Sequence, residues 1–385
     1  MAVLFGGKSV EHEVSIISGV QAMLALDETK YDVIPVYITK ANEFYTGDHL
    51  KDIAAYRDMP ALVAAASRAR FEVDGSRTYL VSGEAGLLKK QMRRLVDVAM
   101  PVVHGTNVED GALQGYLETL NLPYCGPDVL SSAICMDKYV MKIMLQHGGF
   151  PVLPGLRLSA SDDAVASVEN AFAYPVIVKP VNLGSSVGIG KAANAAELRD
   201  CVETALSFAR YAVVEPAVVA LREINCSVLG DASDAVASEC EEPVMHDAIL
   251  SYQDKYGSGG KAGPKAGVGA KGMASAQRQI PAPVTPEQRE HIRTLAVDAF
   301  RYLGCAGVSR VDFLMDANTG DIWINELNTI PGSLSFYLWE AVDMSYDKLL
   351  DRLIEIALKR AREAADITYA FDSNILANVS LGTKH

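Results

Sequence analysis

The sequence predicts a mixed α/β (α+β) fold of two or three domains, and three observations carry that expectation. The chain opens with an apolar strand at Ala2–Phe5, a Gly6-Gly7 break, a helical stripe through Ile16, Ile17, Val20, Met23 and Leu24, and a second strand at Tyr31–Ile38. Strand, glycine turn, helix and strand begin an α/β unit. Short β-rich runs and amphipathic stretches then alternate along the chain without an internal repeat. Near the end, residues 307–332 read as a hairpin, with strands Val308–Met315 and Asp321–Leu327 joined by a turn at Asn318, Thr319 and Gly320. A length of 385 residues suits two or three domains. Apolar residues at 49% and charged residues at 22% are enough for ordinary cores and surfaces.

Composition removes several classes of function. The net charge is −13 and there is no long basic run, which argues against nucleic acid or an anionic membrane as a partner. Six scattered cysteines form no CxxC pair, and seven histidines form no HxxxH or HExxH. Reduced thiols are expected, without a zinc site or a disulfide framework. The MAVLF start lacks the charged and long apolar regions of a signal peptide, and no 18-residue apolar window occurs. A soluble cytoplasmic protein is expected.

Between the opening unit and the hairpin, each element has its own signal. Asp58–Arg70 and Leu87–Met92 look helical, a hairpin is expected around Phe71–Val81, and Val96–Val103 reads as a buried strand. That strand runs into His104-Gly105-Thr106-Asn107-Val108-Glu109-Asp110-Gly111, a loop placed where open sheets bind ligands. A helix follows over Ala112–Leu120, and another opens at Asp137-Lys138 and closes at Gly148-Gly149. Tyr174–Lys179 is a strand that ends on lysine and meets a Gly/Ser turn, Gly184-Ser185-Ser186-Val187-Gly188. Consecutive exposed amides in such a turn make a concavity for phosphate oxygens. Glu215 ends the next strand, and Arg222–Leu229 is another. Residues 257–272 hold seven glycines and three lysines and interrupt a domain, as a lid or binding loop does. The next helix is fully punctuated, with Thr285 as N-cap, Pro286 at N1, Gln288 completing a capping box and Gly304 at C′. A final amphipathic helix is expected over Asp347–Ala364.

The hairpin carries the densest chemistry. Side chains alternate along a strand, so Arg310 shares a face with Asp312, and Glu326 with Asn328. If the two faces coincide, one patch holds a guanidinium, two carboxylates and a carboxamide. Oxygen-rich sets of this kind suit Mg²⁺, which completes its shell with waters and substrate phosphates. Two isolated acids on a sheet face are ordinarily solvated; these lie among apolar strand residues and run into Asn328-Thr329-Ile330-Pro331-Gly332.

Taken together, KSVEHEVS, HGTNVEDGALQG, the DKY helix start, KPVNLGSSVGIGK, REINCSVLG, a second DKY, SRVDF and NELNTIPG occur in the order found in the D-alanine–D-alanine ligase family, with its D-Ala–D-Ser and D-Ala–D-lactate relatives of glycopeptide resistance. The resemblance spans nearly the whole chain. It implies an ATP-grasp fold: an N-terminal parallel α/β domain over 1–127 and two ATP-grasp subdomains, 128–214 and 215–385, clamping the nucleotide.

Roles carry over by that resemblance alone. Lys138 and Lys179 match lysines on the ATP phosphates, Glu215 the acid at the adenosine end, and Glu223 the acid on the ribose hydroxyls. Ser185 and Ser186 match the loop that closes over phosphates and substrate. Asp312, Glu326 and Asn328 match the ligands of two Mg²⁺ ions, with Mn²⁺ as a substitute. Arg310 matches the arginine beside the transferred phosphoryl group, and the Gly332 N–H joins it in stabilising an oxyanion. Glu11 matches the acid that receives the first D-alanine's ammonium, and Lys255 and Tyr256 match the pair on the mobile loop. The implied activity is ATP-dependent formation of a D-alanyl dipeptide for bacterial peptidoglycan, in a homodimer. The turn after Gly332, with Ser333, Ser335 and Tyr337, is where the second substrate is expected, and D-alanine and D-serine both remain open there. A non-catalytic nucleotide-binding protein of the same fold is the reading from another class.

Overall fold

The structure is a computed structural model that describes residues 1–83, 91–244 and 278–371, with 373, 374 and 379. Three sheets are strung along the chain. The first contains β1 (Ala2–Gly6), β2 (Ile34–Ile38), β3 (Phe44–Thr46), β4 (Ser67–Asp74), β5 (Arg77–Ser82), β6 (Met92–Val96) and β7 (Ala99–Pro101), in the order β6-β5-β4-β3-β2-β1-β7. Its parallel part is β2-β1-β7, and every other pairing is antiparallel. Helices α1 (His12–Ala25), α2 (Met59–Ala65) and α3 (Ala112–Thr119) belong to this region. Every residue of β1 and β2 is buried, as continuous apolar runs in a covered parallel sheet should be.

Helices α4 (Val129–Met136) and α5 (Lys138–His147) lead to the second sheet, which contains β8 (Leu156–Leu158), β9 (Val176–Pro180), β10 (Gly190–Ala192) and β11 (Ala212–Pro216). It is antiparallel, in the order β10-β9-β11-β8, and carries α6 (Ala164–Ala171) and α7 (Ala195–Phe208). The third sheet contains β12 (Leu221–Gly230), β13 (Ala235–Pro243), β14 (Arg278–Gln279), β15 (Gly307–Asp316) and β16 (Ile322–Asn328), in the order β14-β13-β12-β15-β16. Helix α8 (Pro286–Tyr302) keeps the expected Thr285–Gln288 capping box, with Gly304 in the left-handed region just past its end. Helices α9 (Phe336–Glu340) and α10 (Tyr346–Ala365) close the described chain.

Each sheet has its own core. The first core also takes in Leu334, Trp339 and the buried residues of α10 from Leu349 to Ala357, so the two ends of the chain share one apolar interior. Among the described residues no helix is long and apolar enough to cross a membrane.

Two expectations from the sequence are corrected. The stretch 58–70 is helical only over Met59–Ala65; Ser67 onward is strand β4, paired with β3 and β5. Its alanines favour helix locally, and tertiary strand pairing overrides them. The apolar run 96–103 is not one strand, because Val96 ends β6 against β5 while Ala99–Pro101 pairs with β1. Helix α1 begins at His12, with Glu11 at its N-cap making no side-chain cap bond. The Glu11 carboxylate is engaged elsewhere. Residues 84–90, which include much of the expected Leu87–Met92 helix, lie outside the described residues; Met92 itself opens β6.

Candidate active site

The third sheet arranges its polar residues in rows. On β12, Glu223, Asn225 and Ser227 alternate with Ile224, Cys226 and Val228, whose side chains form part of the core. Asn225 stands opposite Glu241 on β13 and Asp312 on β15, and Asp312 stands opposite Glu326 on β16. One row across four strands therefore reads Glu241, Asn225, Asp312, Glu326. The neighbouring row is Ser227, Arg310, Asn328. Directly opposed residues share a face, so the register brings Arg310, Asp312, Glu326 and Asn328 together on one side of the sheet.

A bulge refines this picture. Asp312 faces Glu326 but Phe313 faces Ile324, which leaves Asn325 as the extra residue on β16. Asn325 and Glu326 both line the same cleft in consequence. Arg310 donates to Asp312 through Nε at 2.6 Å and Nη2 at 2.7 Å, and Asn328 Nδ2 donates to that carboxylate at 3.0 Å. Burial opposes the Arg310 charge, but Asp312 outweighs it and holds the guanidinium pKa well above its usual value. Lys138 Nζ lies 3.0 Å from Glu326 Oε2 and donates to the Leu183 carbonyl at 2.8 Å.

The donor set fits a hard divalent cation. Asp312 and Glu326 put two carboxylates side by side at the rim of the cleft, and Asn328 adds a carboxamide. Its oxygen and nitrogen ends are assigned from hydrogen bonding, so a flip would present the oxygen. Each carboxylate already faces a cation, Arg310 or Lys138, which shows that this corner collects positive charge.

Beside that corner lies a cleft of about 260 Å³ between the second and third sheets. Lys179 reaches into it from β9 and donates to Glu215 Oε2 at 2.9 Å and to Asn325 Oδ1 at 2.9 Å. Lys142, one turn after Lys138 on α5, donates to the other Glu215 oxygen. Burial alone would raise the Glu215 pKa; the two lysines outweigh it and bring it down to about 2. Lys179 is raised, because Glu215 outweighs the cost of burial. Ser185 and Ser186 both adopt left-handed backbone angles, φ 55° and 59°, as the turn over the cleft requires. Glu223 lines the same cleft.

A second, smaller cavity of about 50 Å³ opens on the far side of Ser185 and runs along Glu11, His104, Glu109, Arg310 and Gly332. Ser185 Oγ donates to Glu11 Oε1. Gly184 and Gly105 admit that carboxylate closely, since a Cβ on either would come within 2.8 Å or 2.9 Å of Glu11 Oε2. Glu109 accepts from the N–H groups of Gly105 and Ile330, both at 2.9 Å, and from Thr329 Oγ1 at 3.3 Å. Burial, then the adjacent Glu11, pushes the Glu109 carboxyl up to about 7. His104 is held neutral, its pKa lowered to about 4 by burial. Its two partners settle the tautomer. Nδ1 faces the Ile330 carbonyl at 2.8 Å, so it carries the proton; Nε2 accepts from Ser18 Oγ, which accepts from Ser333 N–H.

Two family models match the chain. The model described as D-ala D-ala ligase N-terminus matches residues 1–127, and the one described as D-ala D-ala ligase C-terminus matches residues 145–355. The chain belongs to the D-alanine–D-alanine ligase family. D-alanine–D-alanine ligase A of Salmonella typhimurium is 39% identical over 370 residues, covering 94% of this chain and 96% of that protein. Among solved structures, the D-alanine–D-alanine ligase of Coxiella burnetii superposes with a TM-score of 0.78 at 31% identity, over 94% of this chain and 95% of that one. The VanG D-Ala:D-Ser ligase of Enterococcus faecalis superposes with a TM-score of 0.74 at 29% identity, over 92% of this chain and 98% of that one. The α+β ATP-grasp fold follows from this membership.

Within the ligase family frame, the turn after Gly332 is informative. Ser333, Leu334 and Ser335 all have φ near 51–52°, an unfavourable run for L-residues. The His104–Ser18 relay holds its start. Tyr337 anchors its end: the hydroxyl donates to Glu241 Oε1 at 3.2 Å, and Arg278 lies 3.8 Å over the ring while bridging Glu241 at 2.8 Å. Ser333, Ser335 and Tyr337 are absent from the described wall of the small cavity, which ends at Gly332. Tyr337→Phe is therefore expected to lower stability by about 1 kcal/mol, the value of one hydrogen bond, while leaving the product unchanged. Urea unfolding and product chromatography check both parts; a changed product would return Tyr337 to the acceptor site.

Lys255, Tyr256 and the glycine-rich stretch 257–272 lie outside the described residues. Two residues were not singled out from sequence. Asn325 enters the cleft only through the bulge, which strand alternation does not reveal. Lys142 follows Lys138 by four residues, which places both on one helix face, and that spacing was the available signal.

Proposed function

We propose that this chain is a D-alanine–D-alanine ligase that condenses two D-alanine molecules at the expense of ATP, in the bacterial cytoplasm, as a step toward peptidoglycan. The observation that carries this reading is the meeting of the two cavities, which share Lys138, Leu183, Gly184, Ser185 and Glu326 in their walls, with Arg310 lining the smaller one and Asp312 the larger. A nucleotide in the larger cleft would present its γ-phosphate where an amino-acid carboxylate in the smaller cavity can reach it. Lys138 and Lys179 offer charge to the phosphates, and Glu223 a ribose contact. Glu11 receives the first substrate's ammonium, with Ser185 holding the carboxylate in place.

Attack of the first carboxylate on the γ-phosphorus breaks the bond to the β-phosphate oxygen and yields an acyl phosphate and ADP. The second substrate's amine, having lost a proton, attacks the acyl carbon; expulsion of phosphate completes the peptide bond. Arg310 faces the charge that develops on the phosphoryl group and then on the tetrahedral carbon's oxygen, and the Gly332 N–H is its second donor. Asp312, Glu326 and Asn328 would hold Mg²⁺ or Mn²⁺, which would offset the charge of the phosphates during transfer. A homodimer is expected from the family.

D-alanine is favoured as acceptor because the curated relatives at 38–39% identity carry the D-alanine–D-alanine ligase name, although among solved structures the two ligase types stand close, 31% for Coxiella burnetii and 29% for VanG. Supplying ATP, D-alanine and an equal concentration of D-serine, then separating the dipeptides, should give mainly D-alanyl-D-alanine. Mainly D-alanyl-D-serine would instead make this a resistance-type ligase, and no ADP release at all would leave a nucleotide-binding protein.

A further inference from the structure

Lys142 is a fully buried cation with no assigned role. It lies behind the cleft wall, on the face of α5 that also carries Lys138, and its ammonium meets Glu215. Glu215 in turn holds Lys179, the lysine that reaches the cleft. A buried pair of Lys179 and Glu215 alone would be neutral, and Lys179 would have little charge left for an anion. With Lys142 the trio has a net charge of +1, and each Glu215 oxygen is satisfied by a different lysine.

We infer that Lys142 is a positioning residue for nucleotide binding: its ammonium neutralises Glu215, and so frees the charge of Lys179 for the phosphates. The inference rests on reading the larger cleft as the ATP site. It accounts for keeping a lysine where an apolar residue would pack at less cost, because isolated buried charge is otherwise strongly disfavoured. It also gives Glu215 two functions at once: it faces the cleft, and it couples a hidden cation to an exposed one.

The cluster has a pH signature. The charged groups facing Lys142 are Glu215 on β11, Lys179 on β9 and Glu326 on β16. Burial, aided by Lys179, lowers the Lys142 pKa to about 8 despite the pull of Glu215. Glu215 is lowered and Lys179 raised, so neither titrates in that range. Lys142 is thus charged below about pH 8 and neutral above it. The assistance it gives to phosphate binding is present at pH 7 and fades as pH rises.

The test measures ADP binding, with Mg²⁺ in excess, by calorimetry on the full chain. Lys142→Met should weaken ADP by about tenfold or more, the scale of one charge a few ångströms away in a medium of effective dielectric near 20. Lys142→Arg, which keeps a cation against Glu215 and leaves Glu215 itself in place, should bind ADP to within about threefold of wild type. Wild-type affinity should fall between about pH 7 and about pH 9, and that of Lys142→Met should not. Equal binding by Lys142→Met, or a Lys142→Arg variant as weak as Lys142→Met, overturns the inference and leaves Lys142 a packing residue. If Lys142→Met does not fold, a flat wild-type pH profile overturns it equally. Failure of the wild type to bind ADP at any pH would remove the ATP-site reading itself.

Discussion

Glu326→Gln is expected to reduce turnover at least about a hundredfold while leaving the protein folded. Loss of a hydrogen-bonding partner behind a metal ligand typically costs ten- to a hundredfold, so loss of a ligand carboxylate should cost no less. The fold should tolerate the change because Lys138, the partner of Glu326, also donates to the Leu183 carbonyl. Asp312→Asn should behave differently despite the same chemistry. Asp312 is the bidentate partner of Arg310, which is 6% exposed. Breaking that pair strands a buried guanidinium and should cost about 3–5 kcal/mol of stability in addition to activity. ADP release with D-alanine measures the first effect and urea unfolding the second. Near wild-type turnover in folded Glu326→Gln would remove it from the metal site.

Arg310→Lys should lose about a hundred- to a thousandfold in kcat with little change in the KM for ATP. The guanidinium supplies Nε and Nη2 to Asp312 in a planar fork, and its remaining N–H groups are available to the small cavity that it lines. An ammonium keeps the charge but not the fork. Removing a preorganised donor aimed at developing charge has an effect of that size elsewhere. The loss should appear in kcat, because the interaction strengthens only as charge moves onto the transferred oxygen atoms. A rise in KM alone, with kcat intact, would recast Arg310 as a ground-state binding residue.

Much of the site was legible because strand period and catalytic chemistry coincide. Arg310 with Asp312, and Glu326 with Asn328, are spaced by two, and the observed register needed only to align two faces that the sequence had already defined. The Thr285–Gln288 box and Gly304 fixed one helix at both ends for the same kind of local reason. What escaped depends on contacts distant in sequence. Asn325 reaches Lys179 because of a one-residue slip in pairing. Ser67 joins a sheet because it pairs with Thr46 of β3, against the helical preference of the alanines before it. Val96 and Ala99 part company because their partners are different strands. Tyr337 pairs with Glu241, almost a hundred residues earlier, a contact that local pattern does not reveal.

The shared interior of the chain's two ends has a consequence for synthesis. Strands β1 and β2 leave the ribosome long before Trp339 and α10, which belong to the same core. Domains generally fold in the order they are translated, but the face of α1 that packs against α10 stays uncovered until α10 has been made. A ribosome-stalled chain ending at residue 330 should therefore be captured by chaperones and cut readily by protease in its first hundred residues, whereas one extended past residue 365 should resist both.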